Sequence, residues 1–140
     1  MPVQLEKIEQ ATTEDQQDLI KIYKAHLNQT DQQTESWLQQ QFASGEHLFA
    51  GRFNSRLLVA VWVDEQTTHH WQLKYLCVRD ITRRRGVARQ LMQLLAKHAH
   101  QQQASLIVDA HQLPEVLLPL LTEIGVHKQQ QQWLLTPKGN

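Results

Sequence analysis

The apolar residues change period at Gly86, and that change constrains the fold more than any other feature of the chain. Upstream, "HLFAGRFNSRLLVAVWVDE" reads as two strands turned about Asn54 and Ser55. "HWQLKYLCVRD" follows as a third strand, alternating Trp71, Leu73, Tyr75 and Cys77. Downstream, Val87, Leu91, Leu94 and Leu95 recur at helical spacing, and "ASLIVDA", from Ala104 to Ala110, reads as a buried strand. A strand, helix, strand unit normally sets its strands parallel. An antiparallel meander continued by such a unit predicts an α+β domain with a mixed central sheet flanked by helices.

The ends of the chain fit around that centre. Val3, Leu5 and Ile8 suggest a first strand. Thr12 or Thr13 caps a helix that ends near His26, with Leu19, Ile20 and Tyr23 as its apolar stripe. Thr30 or Asp31 caps a second helix, which turns Trp37, Leu38 and Phe42 inward and stops at Gly45. "LPEVLLPLLTEIG" supplies a last helix ending at Gly125, and "HKQQQQWLLT" a last strand. No Pro, Gly or Ser-rich stretch divides the chain, so residues 1–140 read as one domain. The 22 glutamines gather in patches between the patterned segments, where they serve as solvated surface.

Charge and cysteine content exclude several classes of function. The 14 basic residues balance the 14 acidic ones, which argues against a general nucleic-acid or membrane coat. The longest apolar run, "LLVAVWV" at 57–63, falls far short of the roughly 20 residues that cross a bilayer. Cys77 stands alone, so no internal disulfide forms, and "MPVQLEKIEQ" lacks the apolar core of a secretion signal. These features predict a cytoplasmic protein; separately, a monomer is the expectation for the free chain, although no sequence feature decides the oligomeric state. His69, His70, His98, His100 and His111 match no common metal-ligand spacing, so no metal site is expected. Cys77 reads as a small core residue rather than a nucleophile.

Positive charge is nevertheless concentrated at one point. In "VRDITRRRGVARQLMQLL", residues 78–95, a strand ends, three arginines follow, and a helix begins at Arg85 or Gly86. A helix N-terminus leaves backbone N–H groups unpaired and carries partial positive charge, and both favour phosphate. Gly86 and Ala88 keep large side chains away from the backbone, and arginine forks match phosphate oxygens in pairs. The stretch is therefore an anion site suited to a ligand with more than one phosphate.

Residues 83–88, "RRRGVA", resemble the Q/R-x-x-G-x-G/A turn that binds the coenzyme A pyrophosphate in the GCN5-related N-acetyltransferase (GNAT) superfamily. The order of strands and helices is similar over most of the chain. The resemblance implies a single-domain GNAT-like fold over 1–140 and acetyl-CoA or CoA as cofactor. It implies that Leu76, Cys77 and Val78, on a strand splayed from its neighbour, meet the pantetheine arm. Thr82, Arg83, Arg84, Arg85, Gly86, Val87, Ala88 and Arg89 would then hold the pyrophosphate, mainly through main-chain N–H groups. The superfamily's acid is commonly a tyrosine four residues before the glycine of the last helix; here that position is Leu121. Its base is often a glutamate on the central strands, and "HWQLKYLCV" has no carboxylate. Asp64 and Glu65 read as turn residues and Tyr75 as a core tyrosine, so no catalytic residue is assigned.

"RFNSRLLVAV" at 52–61, followed by "LCVRDITRRRGVA" at 76–88, is similar to a narrower group, the PanM or PanZ maturation factors of pantothenate synthesis. This resemblance implies a regulator that binds acetyl-CoA or CoA and promotes self-cleavage of the aspartate 1-decarboxylase zymogen, linking CoA level to β-alanine supply. Arg52, Asn54 and Arg56 are the candidate partner contacts. The alternative is an active N-acetyltransferase on a small amine or a protein N-terminus.

Overall fold

A computed structural model of the chain describes residues 2–79, 86–109, 127–129 and 132–135. The expectations for residues 80–85 and for the helix ending at Gly125 lie outside the described residues. In chain order the elements are β1 (Gln4–Ile8), α1 (Thr13–Leu27), α2 (Asp31–Ala43), β2 (His47–Phe53), β3 (Arg56–Thr67) and β4 (His70–Val78). They continue with α3 (Val87–Gln101), β5 (Ser105–Asp109), β6 (His127–Gln129) and β7 (Gln132–Leu135).

The strands form one mixed sheet in the order β1-β2-β3-β4-β5-β7-β6. β4 and β5 run parallel, with His70 opposite Ser105 and Leu73 opposite Val108, as the connecting helix requires. The other neighbours are antiparallel. The tail differs from the single strand expected over 127–136. It makes two short strands, with Gln129 opposite Gln132, because a glutamine run has no apolar period to mark a reversal.

Both faces of the sheet are covered. Val87, Ala88, Leu91, Met92, Leu95 and Ala99 of α3 pack on Val59, Val61, Val63, Trp71, Leu73 and Leu76. On the opposite face Leu19, Ile22 and Tyr23 of α1 and Leu38 of α2 cover Leu48, Ala50, Leu57, Ala60 and Trp62. This double coverage explains why "LLVAVWV" is an unbroken apolar run: Leu57 to Val63 are all buried, and their side chains divide between the two layers. Gly51 sits where β1, β2 and β3 crowd together. A Cβ there would lie 2.7 Å from Val59 Cγ1 and 3.2 Å from Val3 Cβ.

Local capping sets the helix bounds. The Thr12 hydroxyl accepts from Asp15 N–H at 3.1 Å. Thr30 and Gln33 form a reciprocal capping box at the start of α2. Among the described residues no helix is long and apolar enough to cross a membrane.

Candidate functional site

The candidate site begins at the end of the register described between β4 and β5. Their register ends at Leu73 opposite Val108, although β5 continues to Asp109, which pairs with Gln132 of β7. Beyond Leu73 the described ladder of β4 is with β3, through Ala60 opposite Cys77 and Val59 opposite Val78. The register described between β4 and β5 thus stops short of Leu76, Cys77 and Val78, and the residues that would follow β5 beside them lie outside the described residues.

A bulge follows in β4. Trp62 pairs with Lys74 and Ala60 with Cys77, so Val61 alone faces the two residues Tyr75 and Leu76. Tyr75 takes φ 56°, in the left-handed region that L-residues with large side chains avoid. The extra residue inverts the alternation. Trp71, Leu73 and Leu76 face α3, whereas Tyr75 and Cys77 face α1 and α2. The sequence reading that put Trp71, Leu73, Tyr75 and Cys77 on one face is corrected accordingly.

Tyr23 of α1 reaches the bulge. Its hydroxyl donates to the Tyr75 carbonyl at 2.8 Å. Trp37 packs 5.1 Å from both the Tyr23 and Tyr75 rings. Burial, with a smaller contribution from nearby Cys77, pushes the Tyr23 phenol well above its ordinary pKa, so it remains a donor.

The second half of the site is the start of α3. Gly86 is its N-cap at φ 74°, a conformation that favours glycine, and among the described residues no side chain caps the helix. Among the described residues a Cβ on Gly86 would meet nothing within 4 Å. Val87 and Ala88 are buried beneath it, while Arg89 is exposed. The Gln90 side chain ties this turn to β1, accepting from Val3 N–H at 2.9 Å. Helix-end N–H groups and positive dipole fit a phosphate-bearing cofactor. Of the expected pyrophosphate residues, Thr82, Arg83, Arg84 and Arg85 lie outside the described residues.

The candidate partner contacts sit on the β2–β3 hairpin. Asn54 (φ 48°) and Ser55 (φ 67°) form its two-residue turn, with Phe53 opposite Arg56. Arg52 and Arg56 are engaged within the molecule. Arg52 pairs with Glu6 and reaches Asp15 at 3.1 and 3.2 Å. Arg56 grips the fully buried Asp18 through Nε at 3.0 Å and Nη2 at 2.5 Å. Leu57 N–H adds a bond to Asp18 at 3.1 Å, and Arg79 Nη1 lies 3.9 Å from it. The two arginines are therefore clamps between hairpin and α1, and the hairpin tip presents Asn54. Sequence reading missed Asp15 and Asp18. The signal was present, since they continue the stripe of Leu19, Ile22 and Tyr23 at helical spacing.

The other candidates occupy structural positions. Cys77 is buried. His98 lies 5.7 Å from the rings of both Phe49 and Trp71. His69 Nδ1 is 3.0 Å from Gln103 O, and His70 Nδ1 is 3.0 Å from the Thr67 hydroxyl.

A mixed sheet with helices on both faces, a bulged strand β4 with a parallel neighbour, and a glycine-opened helix after it define a GNAT-like, acyl-CoA N-acyltransferase fold. The chain belongs to the family described as "Acetyltransferase (GNAT) domain, PanZ", whose profile matches residues 2–134. Among solved structures, YhhK from E. coli bound to coenzyme A is similar with a TM-score of 0.71 and 26% identity, over 97% of this chain and 99% of that one. An aminoglycoside 6'-N-acetyltransferase complexed with coenzyme A gives a TM-score of 0.74 at 11% identity, over 98% of each chain. Tetrahymena GCN5 gives 0.71 at 11% identity, over 99% of this chain and 97% of its own. The last two likenesses concern the fold alone. A search among curated proteins found no significant match.

Proposed function

We propose that this chain is a cytoplasmic, coenzyme A- or acetyl-CoA-binding regulator that promotes self-cleavage of the aspartate 1-decarboxylase zymogen, and so links CoA level to β-alanine and pantothenate synthesis. The observation that carries the reading is Gly86, which opens α3 at φ 74° after the bulged strand β4. Membership of the PanZ family and the coenzyme A bound to YhhK support the same cofactor.

In this reading Leu76, Cys77 and Val78 line the pantetheine arm. The pyrophosphate is held by Gly86, Val87, Ala88 and Arg89 together with Thr82, Arg83, Arg84 and Arg85. Helix-end N–H groups orient the phosphates without contributing chemistry. β4 carries no Asp or Glu from His70 to Val78, and the sequence position four before Gly125, where the resemblance implies a phenolic acid, holds Leu121. The cofactor therefore acts as a signal. It favours the state that recognises the zymogen, through differential affinity. Asn54 is the foremost partner contact, with Arg52 and Arg56 fixing the hairpin that presents it. The free chain is a single-domain monomer.

The test mixes purified zymogen with this protein, with and without acetyl-CoA, and follows the two cleaved chains on a denaturing gel. Faster cleavage that needs both components is expected. Equal rates with and without the protein, under conditions where coenzyme A binds it, would remove the reading. Release of CoA thiol with a physiological amine at ordinary enzymatic turnover would replace it with acetyl transfer.

A further inference from the structure

We propose that the Tyr23 hydroxyl is a positioning group for the cofactor: by holding the Tyr75 carbonyl it keeps β4 bulged, and so sets Leu76, Cys77 and Val78 in the arrangement that meets the pantetheine arm. The inference rests on the coenzyme A reading and adds to it a residue on another element.

Strand carbonyls ordinarily lie in the plane of the sheet and serve the ladder. The Tyr75 carbonyl instead accepts from a phenol on α1, the layer that covers one face, at 2.8 Å. It accepts this bond at the place where two residues of β4 face Val61 alone. The last β4 residue in register with β5 is Leu73, two positions earlier.

Tyr75 has no local reason to adopt this conformation. A tyrosine at φ 56° is disfavoured where glycine is not, so surrounding structure must hold it there. Tyr23 is suited to that task. It is wholly buried on the sheet-facing side of α1, and its ring is braced by Trp37 at 5.1 Å. α1 is itself pinned to the hairpin by Asp15 to Arg52 and Asp18 to Arg56. Were Tyr75 to relax into strand geometry, the two-against-one count would be lost. Leu76 and Cys77 would then exchange faces, abolishing the arrangement beneath the proposed pantetheine path.

The test compares two ligands by calorimetry: coenzyme A and its adenosine bisphosphate half, which lacks pantetheine. In Tyr23→Phe, coenzyme A should bind at least about tenfold more weakly while the nucleotide half changes less than about twofold, because only the former reaches the bulge. Coenzyme A affinity unchanged, or both ligands weakened alike, would overturn the proposal. A second pair reads the backbone independently of Tyr23. Tyr75→Gly and Tyr75→Val both remove the ring, but only glycine accepts the left-handed conformation. The glycine variant should bind coenzyme A at least about tenfold more tightly than the valine variant, and equal affinities would contradict the latch. Failure of the unaltered chain to bind coenzyme A would remove the cofactor reading itself, and the latch with it.

Discussion

Arg56 holds the Asp18 carboxylate through Nε at 3.0 Å and Nη2 at 2.5 Å, fastening the β2–β3 hairpin to α1 across 38 residues of sequence. Asp18→Ala removes this contact and leaves the buried Leu57 N–H without its acceptor, so a loss of about 2 kcal/mol is expected from urea unfolding. Asp18→Asn keeps an acceptor for Leu57 and should cost less.

The same carboxylate sets an acid limb to the stability. Burial alone would raise its pKa, but hydrogen bonds from Arg56 and Leu57, with the charges of Arg56 and Arg79, outweigh burial and hold it below the usual range. The unfolded value is about 3.9, so the contribution is fully present above that pH and disappears as pH falls through the lower folded value. Urea midpoints measured between about pH 6 and 3 should fall less in Asp18→Asn than in the parent chain.

Gly86 separates strain from electrostatics. Gly86→Ala puts a Cβ at φ 74° with no described residue within 4 Å, so it should cost about 1 kcal/mol of stability and leave coenzyme A binding largely intact. Gly86→Asp places a carboxylate where it competes with phosphate for the helix-end N–H groups. Calorimetry should find coenzyme A binding lost although the variant remains folded.

The hairpin turn distinguishes shape from contact. Ser55→Gly relieves φ 67° and should raise stability by about 0.5 to 1 kcal/mol in thermal unfolding. Asn54→Gly keeps the turn and deletes the side chain. If Asn54 touches the zymogen, this variant should lose the cleavage effect while binding coenzyme A as before.

Gly51→Ala tests the crowding of β1 on β3. Its Cβ would stand 2.7 Å from Val59 Cγ1, so the strands must shift, at about 2 kcal/mol by urea unfolding.

Much of the fold was legible in the sequence because it is written in periods and caps. The hairpin at Asn54 and Ser55, the threonine caps of α1 and α2, and the parallel pairing of β4 with β5 all follow from local pattern. The bulge at Tyr75 was not legible. Its cause is a hydroxyl 52 residues away, and a strict alternation cannot register one inserted residue. The engagement of Arg52 and Arg56 was hidden for a similar reason: an arginine beside a turn looks solvated until a helix brings Asp15 and Asp18 to it. Of the cofactor site, the helix opening at Gly86 could be read because a glycine before a helical period is a local feature, whereas the bulge that turns Leu76 and Cys77 to opposite faces depends on contacts distant in sequence.

An amide-resolved NMR titration with coenzyme A tests most directly the claim that the end of β4 and the start of α3 form one cofactor site. The largest shifts are predicted at Leu76, Cys77 and Val78 and at Gly86, Val87, Ala88 and Arg89, saturating together with one affinity. Saturable binding that leaves these amides unmoved while others shift would contradict it.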